Sequence, residues 1–282
     1  MFNNRLPNPL FLPAATIFLM LFTLPMAGLF VESLRTYVPG SIGSAADAPL
    51  TLANYGELVK TSFARFFFQT LRISLFASLA GVFFSLPLAY WMARKLPADW
   101  RVIAVGFFVT LMFLSVLVRT YALELTFGAT GPLGPVLQSL GISTNSRGYI
   151  EILVGVGLLH YIIPMSVLTL LGTYQNIDPR LTDAAQVLGA PAWQAHLSVT
   201  LPLCIRGILA AFLFGFTFSI SAFVIPMILG KGRVLFISNL VYTRFSEIAN
   251  YPSGAAISVV LFVLAMLIVY AMTHMVNKWW QQ

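Results

Sequence analysis

The sequence predicts an all-α integral membrane protein with six transmembrane helices, on the evidence of its composition and of its long apolar stretches. Of the 282 residues, 59% are hydrophobic and 9% are charged, and the mean hydropathy is +0.87. Soluble domains carry about 25% charged residues. About 20 consecutive apolar residues cross the hydrocarbon core of a bilayer. The six stretches that meet this length lie at residues 10–31, 68–92, 102–123, 150–172, 205–229 and 254–276.

The first stretch has to be distinguished from a cleaved signal peptide. Its apolar run is longer than the roughly 7 to 15 residues of a signal-peptide core, and similar runs follow it. We therefore interpret it as a retained helix, although Ala46-Asp47-Ala48 offers a small-x-small sequence downstream.

Charge and motif content exclude several other classes of function. The formal net charge is +7, but the 16 Lys and Arg residues are spread mostly singly between apolar stretches, so we expect no nucleic-acid partner. Cys204 is the only cysteine, and His160, His196 and His274 have no second ligand at metal-binding spacing, so no metal site is expected. The chain contains no P-loop, nucleophile-elbow or zinc-protease motif. It is therefore predicted to have no catalytic residues and no cofactor of its own.

The polar segment between the fourth and fifth stretches has the clearest local punctuation. Asp178 and Pro179 suit the start of a short helix, and Gly189 suits its left-handed stop. Pro191 then opens a second short helix, and Pro202 suits the start of the fifth membrane helix. An apolar face on the first short helix lies outside the membrane, so another protein is expected to cover it. That face consists of Leu181, Ala184, Ala185 and Leu188.

This segment resembles the shared loop of the inner-membrane permeases of ABC importers, which reads Glu-Ala-Ala, three residues, Gly, nine residues, Ile-x-Leu-Pro. The corresponding positions here are Asp183-Ala184-Ala185, Gly189 and Val199-Thr200-Leu201-Pro202. The spacing matches throughout, and the two departures, Asp for Glu and Val for Ile, keep charge and shape. The resemblance implies a type I importer permease fold with cytoplasmic coupling helices that dock on an ATPase subunit. The coupling residues it implies are Asp183, Ala184, Ala185, Gly189, Leu201 and Pro202.

Three further segments look like the spermidine/putrescine subgroup of these permeases: 87–94, 118–122 and 225–230. The resemblance implies a polyamine substrate, although permeases for ferric iron, phosphonates, opines and other small solutes, including amino-acid-like compounds, share it. It also implies a heteromeric assembly in a bacterial inner membrane. The expected partners are a second related permease, two ATPase subunits that bind ATP and Mg, and a periplasmic substrate-binding protein.

The same resemblance sets boundaries and orientation. Residues 1–66 are expected to form an N-terminal transmembrane helix and a periplasmic arm, and residues 67–276 a core of five transmembrane helices with a cytoplasmic coupling loop at 173–206. An even number of crossings puts both termini on one side of the membrane, and the coupling loop makes that side the cytoplasm. The Lys and Arg residues alone leave the orientation open, because the two sides carry similar numbers of them.

Polar and aromatic residues near the helix ends are candidates for the translocation path: Arg72, Arg119, Tyr121, Glu124, Ser219, Ser221 and Phe223. Glu124 suits an approaching polycation, while snorkelling to the membrane interface is the plainer interpretation for it and for both arginines. The two aromatic side chains suit an alkyl amine or ordinary packing. Glu151, which opens the fourth stretch, suits the positive end of a helix dipole.

Small residues recur at every fourth position of the fifth stretch: Gly207, Ala211, Gly215 and Ser219. They share one face and let another helix approach closely. That helix belongs either to this chain or to a partner subunit, and packing within the chain is the simpler interpretation.

Two other classes of protein remain as rivals. An ion-coupled secondary transporter requires intramembrane ionisable relays and usually paired broken helices. An intramembrane enzyme requires a nucleophile with its base, or a metal site. The sequence displays neither pattern, so the importer permease is the preferred prediction.

Overall fold

The computed structural model describes residues 11–40, 43–45 and 48–280, and the regular structure of these residues is helical. The positions Ala46 and Asp47 of the small-x-small sequence lie outside the described residues. The first helices are Phe11–Ser33 (α1), Ala53–Leu58 (α2), Thr61–Arg94 (α3), Ala98–Phe113 (α4), Val116–Phe127 (α5), Gly134–Ser139 (α6) and Arg147–Gln175 (α7). The later helices are Arg180–Val187 (α8), Ala192–Ala195 (α9), Leu201–Leu203 (α10), Ile205–Ser221 (α11), Val224–Leu229 (α12), Ile237–Tyr242 (α13) and Tyr251–Trp280 (α14). The all-α prediction is confirmed.

The membrane spans include straight and bent helices. In the described part of the chain, α1, α3, α7 and α14 are each long and apolar enough to cross a membrane. Two bent pairs also qualify when each is taken as one span: α4 with α5, bent by 91°, and Ala192–Leu203 with α11, bent by 69°. Counting each bent pair once gives the six crossings that the sequence predicts.

The third apolar stretch is not the continuous helix that its composition predicts. Leu114 and Ser115 adopt extended backbone, with ψ of 130° and 129°, between α4 and α5. Neither is a proline or glycine, and the bend follows from tertiary packing, because α4 packs on α7 whereas α5 turns to pack on α12. The prediction of one helix over 102–123 is therefore wrong at this point.

The fifth stretch is also interrupted, here for a reason that the sequence contains. Pro226 has no backbone N–H and cannot bond the carbonyl four residues earlier, which belongs to Ala222 between α11 and α12. The hydroxyl of Ser238 donates to that carbonyl instead, at 2.6 Å, and Asn239 Nδ2 donates to the carbonyl of Phe223 at 3.1 Å. The segment after α12 thus satisfies the Ala222 carbonyl that the break exposes, and adds a second donor to the Phe223 carbonyl, which already accepts from the N–H of Met227.

The small-residue face of α11 packs within the chain. A Cβ added at Gly207 would lie 2.1 Å from Thr173 Oγ1, and one added at Gly215 would lie 2.9 Å from Ile162 Cγ2. Both neighbours belong to α7, so the close approach joins α11 to α7. The simpler interpretation of this face is confirmed.

Helix α7 makes a second close contact on its other side. A Cβ added at Gly157 would lie 2.7 Å from Leu229 Cδ1 and 2.8 Å from Ile225 Cγ2 in α12. Both of those side chains are buried, so neither has free space to move into. Helix α7 is thus the centre of the helical core, with α11 and α12 packed directly against its backbone.

The chain divides into two compact units, one comprising residues up to Ala64 with Leu240–Val263, the other Arg65–Asn239 with Leu264–Gln282. In the first unit, the hydroxyls of Ser33 and Tyr55 lie 2.6 Å apart. Asn54 Nδ2 donates to the carbonyls of Ser33 and Arg35, each at 2.9 Å. These bonds fold the segment after α1 back on the end of that helix. The domain boundary at 66/67 stays a prediction.

Candidate coupling surface and translocation path

The loop between α7 and α11 contains the predicted coupling motif, and its local chemistry sets its shape. Asp178 Oδ1 accepts a hydrogen bond from the backbone N–H of Arg180 at 3.0 Å, at the start of α8. Gly189 has φ of +96°, a left-handed value that suits glycine because it has no Cβ. Pro191 adopts extended backbone immediately before α9. The two short helices and the left-handed stop between them are as predicted.

Side chains from the membrane helices hold this loop in place. Arg94 Nη2, at the end of α3, donates to the carbonyl of Ile177 at 2.6 Å. The ring of His196 lies 4.3 Å from the ring of Tyr90 in α3 and 6.1 Å from that of Tyr174 in α7. The loop is therefore in contact with two membrane helices, α3 and α7.

The prediction that Pro202 starts the fifth membrane helix is wrong. After α9 the chain continues as a π-helical turn, His196–Thr200, and then as α10, and the membrane helix begins at Ile205 after a bend at Cys204. Thr200 is buried, and its hydroxyl forms a hydrogen bond of 3.0 Å with that of Thr182 in α8. Pro202 is the second residue of α10, which continues directly from the π-helical turn.

The loop presents an apolar surface that nothing in the described chain covers. Val187 and Leu188 are 87% and 89% exposed. Asp183 and Ala184 are also exposed, and Ala185 is half-buried. The exposed apolar side chains are Leu181, Val187, Leu188, Trp193 and Leu197. Such a patch between membrane spans marks a protein interaction surface, and we call these five residues the coupling patch.

Arg72 belongs to a charged cluster between α3 and the start of α7. It forms an ion pair with Glu151, whose other carboxylate oxygen lies 3.3 Å from Arg147 Nε. Arg147 Nη2 also donates to Gln69 Oε1 at 3.0 Å. Glu151, the fifth residue of α7, therefore binds two arginines near the start of that helix. Neither Arg72 nor Glu151 is the isolated group that the sequence suggested.

Arg119 is buried in the protein rather than extended to the membrane interface. Its side chain is 6% exposed, and its guanidinium lies 5.1 Å from the ring centre of Tyr161. That ring stacks on Phe218 at 3.9 Å, and Arg119 Nη1 donates to the carbonyl of His160 at 3.4 Å. The snorkelling interpretation of Arg119 is therefore wrong, and its charge rests on aromatic and carbonyl groups of α7 and α11.

Glu124 is paired with a residue that the sequence did not indicate. Its Oε1 lies 2.8 Å from Nζ of Lys231, in the turn after α12. Its Oε2 is buried and has no hydrogen-bond partner among the described residues. Tyr121, one turn earlier on α5, is half exposed. Glu124 is thus a half-satisfied carboxylate: one oxygen forms an ion pair and the other has no hydrogen-bond partner among the described residues. It does not extend to the membrane interface.

The remaining candidates lie at the end of α11. Ser219 is buried, and its Oγ finds no hydrogen-bond partner within the described part of the chain. The hydroxyl of Ser221 donates to the carbonyl of Thr217 at 2.9 Å, so it is satisfied inside its own helix. Phe223 is half-buried at the break before α12. Of these three residues, Ser219 has the one side-chain polar atom that is buried without a partner among the described residues.

The structure places most of the translocation candidates near each other but separates Arg72. Three of them, Arg119, Tyr121 and Glu124, lie on α5, which packs on α12 directly after Phe223. Arg72 belongs instead to the separate cluster between α3 and α7. Sequence reasoning missed Lys231 and Arg147, and the only signal for Lys231 was its position between two glycines. No group of three His, Cys, Asp or Glu side chains that could hold a metal occurs among the described residues.

These features define a class of protein: a multi-pass helical membrane protein with an exposed apolar patch on the loop between α7 and α11. Residues 85–282 match the family described as "Binding-protein-dependent transport system inner membrane component", and the chain belongs to this family. It is accordingly a permease subunit rather than an enzyme, and it works with an ATPase and a periplasmic binding protein.

Several curated proteins are similar over most of their length. The spermidine/putrescine transport system permease protein PotB of Haemophilus influenzae is 29% identical over 224 residues, covering 79% of this chain and 78% of the relative. PotB of Escherichia coli is 28% identical over 233 residues, covering 81% and 84%. The molybdenum transport system permease protein ModB of Haemophilus influenzae is 28% identical over 180 residues, covering 61% and 72%.

Solved structures share the fold. A chain of a bacterial alginate ABC transporter, crystallised with an alginate pentasaccharide-bound periplasmic protein, superposes with a TM-score of 0.75 at 20% identity. The match covers 95% of this chain and 93% of that one. The predicted fold of an ABC importer permease is confirmed.

Proposed function

We propose that this chain forms half of the translocation pathway of an ATP-driven importer for polyamines such as spermidine and putrescine. The coupling patch carries the transport part of this proposal, because an exposed apolar surface on a braced loop suits a partner that transmits force. The polyamine part is supported by the PotB relatives, which cover about four fifths of the chain. It is also supported by the half-satisfied carboxylate of Glu124.

The proposed assembly contains this permease, a related second permease, two ATPase subunits and a periplasmic binding protein. ATP and Mg bind to the ATPases, and both termini of this chain and the coupling loop face the cytoplasm. Asp183, Ala184, Ala185 and Gly189 shape the surface that docks on the ATPase. Leu201 and Pro202 form the connection from that surface to α11. Closure of the ATPase pair pushes this connection, and the bend at Cys204 passes the movement to the membrane helices.

The proposed solute path follows α5 and the break after α11. Glu124 supplies a carboxylate for an ammonium group, and Tyr121 and Phe223 supply aromatic surface for an alkyl chain. Ser219 and Ser221, at the end of α11, line the same path. Arg72 lies in the separate cluster between α3 and α7, which suits an anion better than a dication.

An anionic solute is the second candidate for the substrate, because ModB is also a relative. Arg72, Arg119 and Arg147 would then be the residues to examine, because guanidinium groups bind oxyanions well. The role of an ABC permease is the same for either substrate.

The test is ATP hydrolysis by the reconstituted complex in liposomes. The binding protein is loaded in turn with spermidine, putrescine, ferric iron and a phosphonate, and the stimulation by each is compared with that of the empty binding protein. Stimulation by the polyamines alone is the expected result. Stimulation by an anion alone would refute the polyamine substrate and leave the importer, whereas uptake by the purified chain without an ATPase would refute the importer in favour of an ion-coupled transporter.

A further inference from the structure

The turn that follows α12 holds a lysine in a conformation that lysine disfavours. Lys231 has φ of +48° and Gly232 has φ of +70°, and the carbonyl of Gly230 accepts a hydrogen bond from the N–H of Arg233 at 2.8 Å. Positive φ at both central residues is typical of a type I′ turn, which normally has Asn, Asp or Gly at these positions. A lysine pays a conformational cost there, and strained residues of this kind occur often at ligand clamps and switches.

This turn presents the ammonium of Lys231 to Glu124. Nζ lies 2.8 Å from Oε1, and both side chains are about three quarters buried, with exposures of 25% and 22%. The other oxygen, Oε2, is buried without a hydrogen-bond partner among the described residues. Since an ionised carboxylate accepts up to about four hydrogen bonds, Glu124 can receive a second donor.

Glu124 differs from the other carboxylate at the same end of the helical core. The hydroxyl of Tyr149, at the start of α7, donates to the carbonyl of Phe127 at 2.6 Å, so the end of α5 lies beside the start of α7. Glu151, the fifth residue of α7, is already bound by two arginines. Glu124 is therefore the carboxylate at this end whose charge is matched by a single, tethered ammonium.

We propose that Glu124 receives an ammonium group of the transported polyamine and that Lys231 occupies this site when the substrate is absent. The inference rests on the proposed polyamine function. A primary ammonium of spermidine has the same charge and the same three N–H donors as the lysine head group. Substrate entry then exchanges one ammonium for another at Glu124, and Lys231 returns when the substrate leaves.

The exchange has a physical advantage for transport. An unpaired buried carboxylate is costly, and it would bind a cation too tightly to release it. With Lys231 as a competitor, the carboxylate is paired before and after substrate passage, and the net affinity for substrate is only the difference between two similar ammonium ions. The strained turn supplies the competitor at one fixed place.

The experiment uses equilibrium dialysis to measure direct binding of radiolabelled spermidine to the permease pair with its ATPase subunits in nanodiscs. The periplasmic binding protein is left out, because it would bind spermidine itself. Lys231→Asn removes the ammonium with a residue that tolerates positive φ, and we expect it to tighten spermidine binding by about tenfold, the size of a charge-assisted hydrogen bond. Lys231→Arg keeps a cation at this place and is expected to bind spermidine more weakly than Lys231→Asn does. Glu124→Gln is expected to bind it at least about tenfold more weakly.

A reversed pair separates this inference from a purely structural ion pair. The double variant Glu124→Lys with Lys231→Glu restores an ion pair. Its thermal unfolding temperature is therefore expected to be closer to that of the wild type than the unfolding temperature of either single variant. Its spermidine binding is expected to stay lost, because the carboxylate has moved to the turn. Recovery of binding in this variant, or unchanged or weaker binding by Lys231→Asn, would overturn the proposal. A wild-type complex that binds no spermidine would overturn the proposed polyamine function as well, and is thus distinguishable from a failure of the lysine exchange alone.

Discussion

Substitution of Gly189 removes the left-handed stop of the coupling loop without crowding its neighbours. Gly189 has φ of +96°, and an added Cβ would meet no atom within 4 Å, so the cost is conformational alone. Left-handed backbone costs an alanine about 1–2 kcal/mol, and a factor of ten in an equilibrium constant corresponds to about 1.4 kcal/mol. Gly189→Ala is therefore expected to lower the equilibrium constant for the native loop geometry by about 5- to 30-fold. Gly189→Val is expected to have a larger effect and Gly189→Asn a smaller one.

The assay is ATP-dependent uptake of spermidine by the complex in proteoliposomes. We expect Gly189→Val to reduce uptake by at least about tenfold, while the thermal unfolding temperature of the complex stays close to that of the wild type because the loop is exposed. Ala190→Val is the matched control, since it adds similar bulk one residue later at a position with ordinary φ. It is expected to retain most of the uptake.

Two results would refute this reasoning. Wild-type uptake by Gly189→Val would mean that the left-handed stop has no part in coupling. An equal loss in Ala190→Val would mean that added bulk, rather than backbone conformation, disturbs the docking surface.

Three further substitutions test the packing, the charged cluster and the coupling patch. Gly157→Ala is expected to lower the free energy of unfolding by about 1–3 kcal/mol, because the new methyl would overpack against buried side chains of α12. Gly155→Ala is the control: its added Cβ has no atom within 4 Å, so it is expected to be neutral or slightly stabilising. Equal shifts of the unfolding temperature in the two variants would contradict the packing. Glu151→Gln leaves two arginines without their carboxylate and is expected to lower the unfolding temperature. The decrease should be smaller in 1 M salt, where exposed charges are screened, and a decrease independent of salt would argue against an electrostatic role. Leu188→Ser is expected to change the free energy of unfolding by less than about 0.5 kcal/mol but to weaken co-purification of the ATPase, and undiminished co-purification would exclude this residue from the coupling patch.

The sequence predicts the coupling loop well because its shape depends on local chemistry. Asp178, Gly189 and Pro191 each act on their own backbone or on the next few residues, and such effects can be recognised in a single sequence. The apolar stretches are predictable for a similar reason, since hydropathy is a sum over neighbouring residues. Pro226 is also a local signal for a break in the fifth apolar stretch, but it does not indicate which side chain bonds the carbonyl that the break leaves open.

Features that depend on contacts between distant helices were not predictable. The bend at Leu114 and Ser115 has no proline or glycine to announce it. Arg72 and Glu151 are 79 positions apart, and hydropathy assigns both to helix ends without indicating that they meet. Arg119 has the same local sequence signal as a snorkelling arginine, and only the packing of α5 on α7 and α12 explains why it is buried.

The hydrogen bonds that Ser238 and Asn239 make across the break after α11 have a consequence for biosynthesis. Each donor follows its acceptor carbonyl by 16 residues, which a ribosome adding about 5–20 residues per second takes about 1 to 3 s to synthesise. During that interval the carbonyl of Ala222 has neither a helical partner nor its later donor, whereas that of Phe223 already accepts from the N–H of Met227 at 3.1 Å. An unsatisfied backbone group in lipid costs several kcal/mol. The break is therefore expected to wait in the aqueous channel of the insertion machinery until residue 239 has emerged, and the whole segment from α11 to α13 then partitions into the bilayer in a single step.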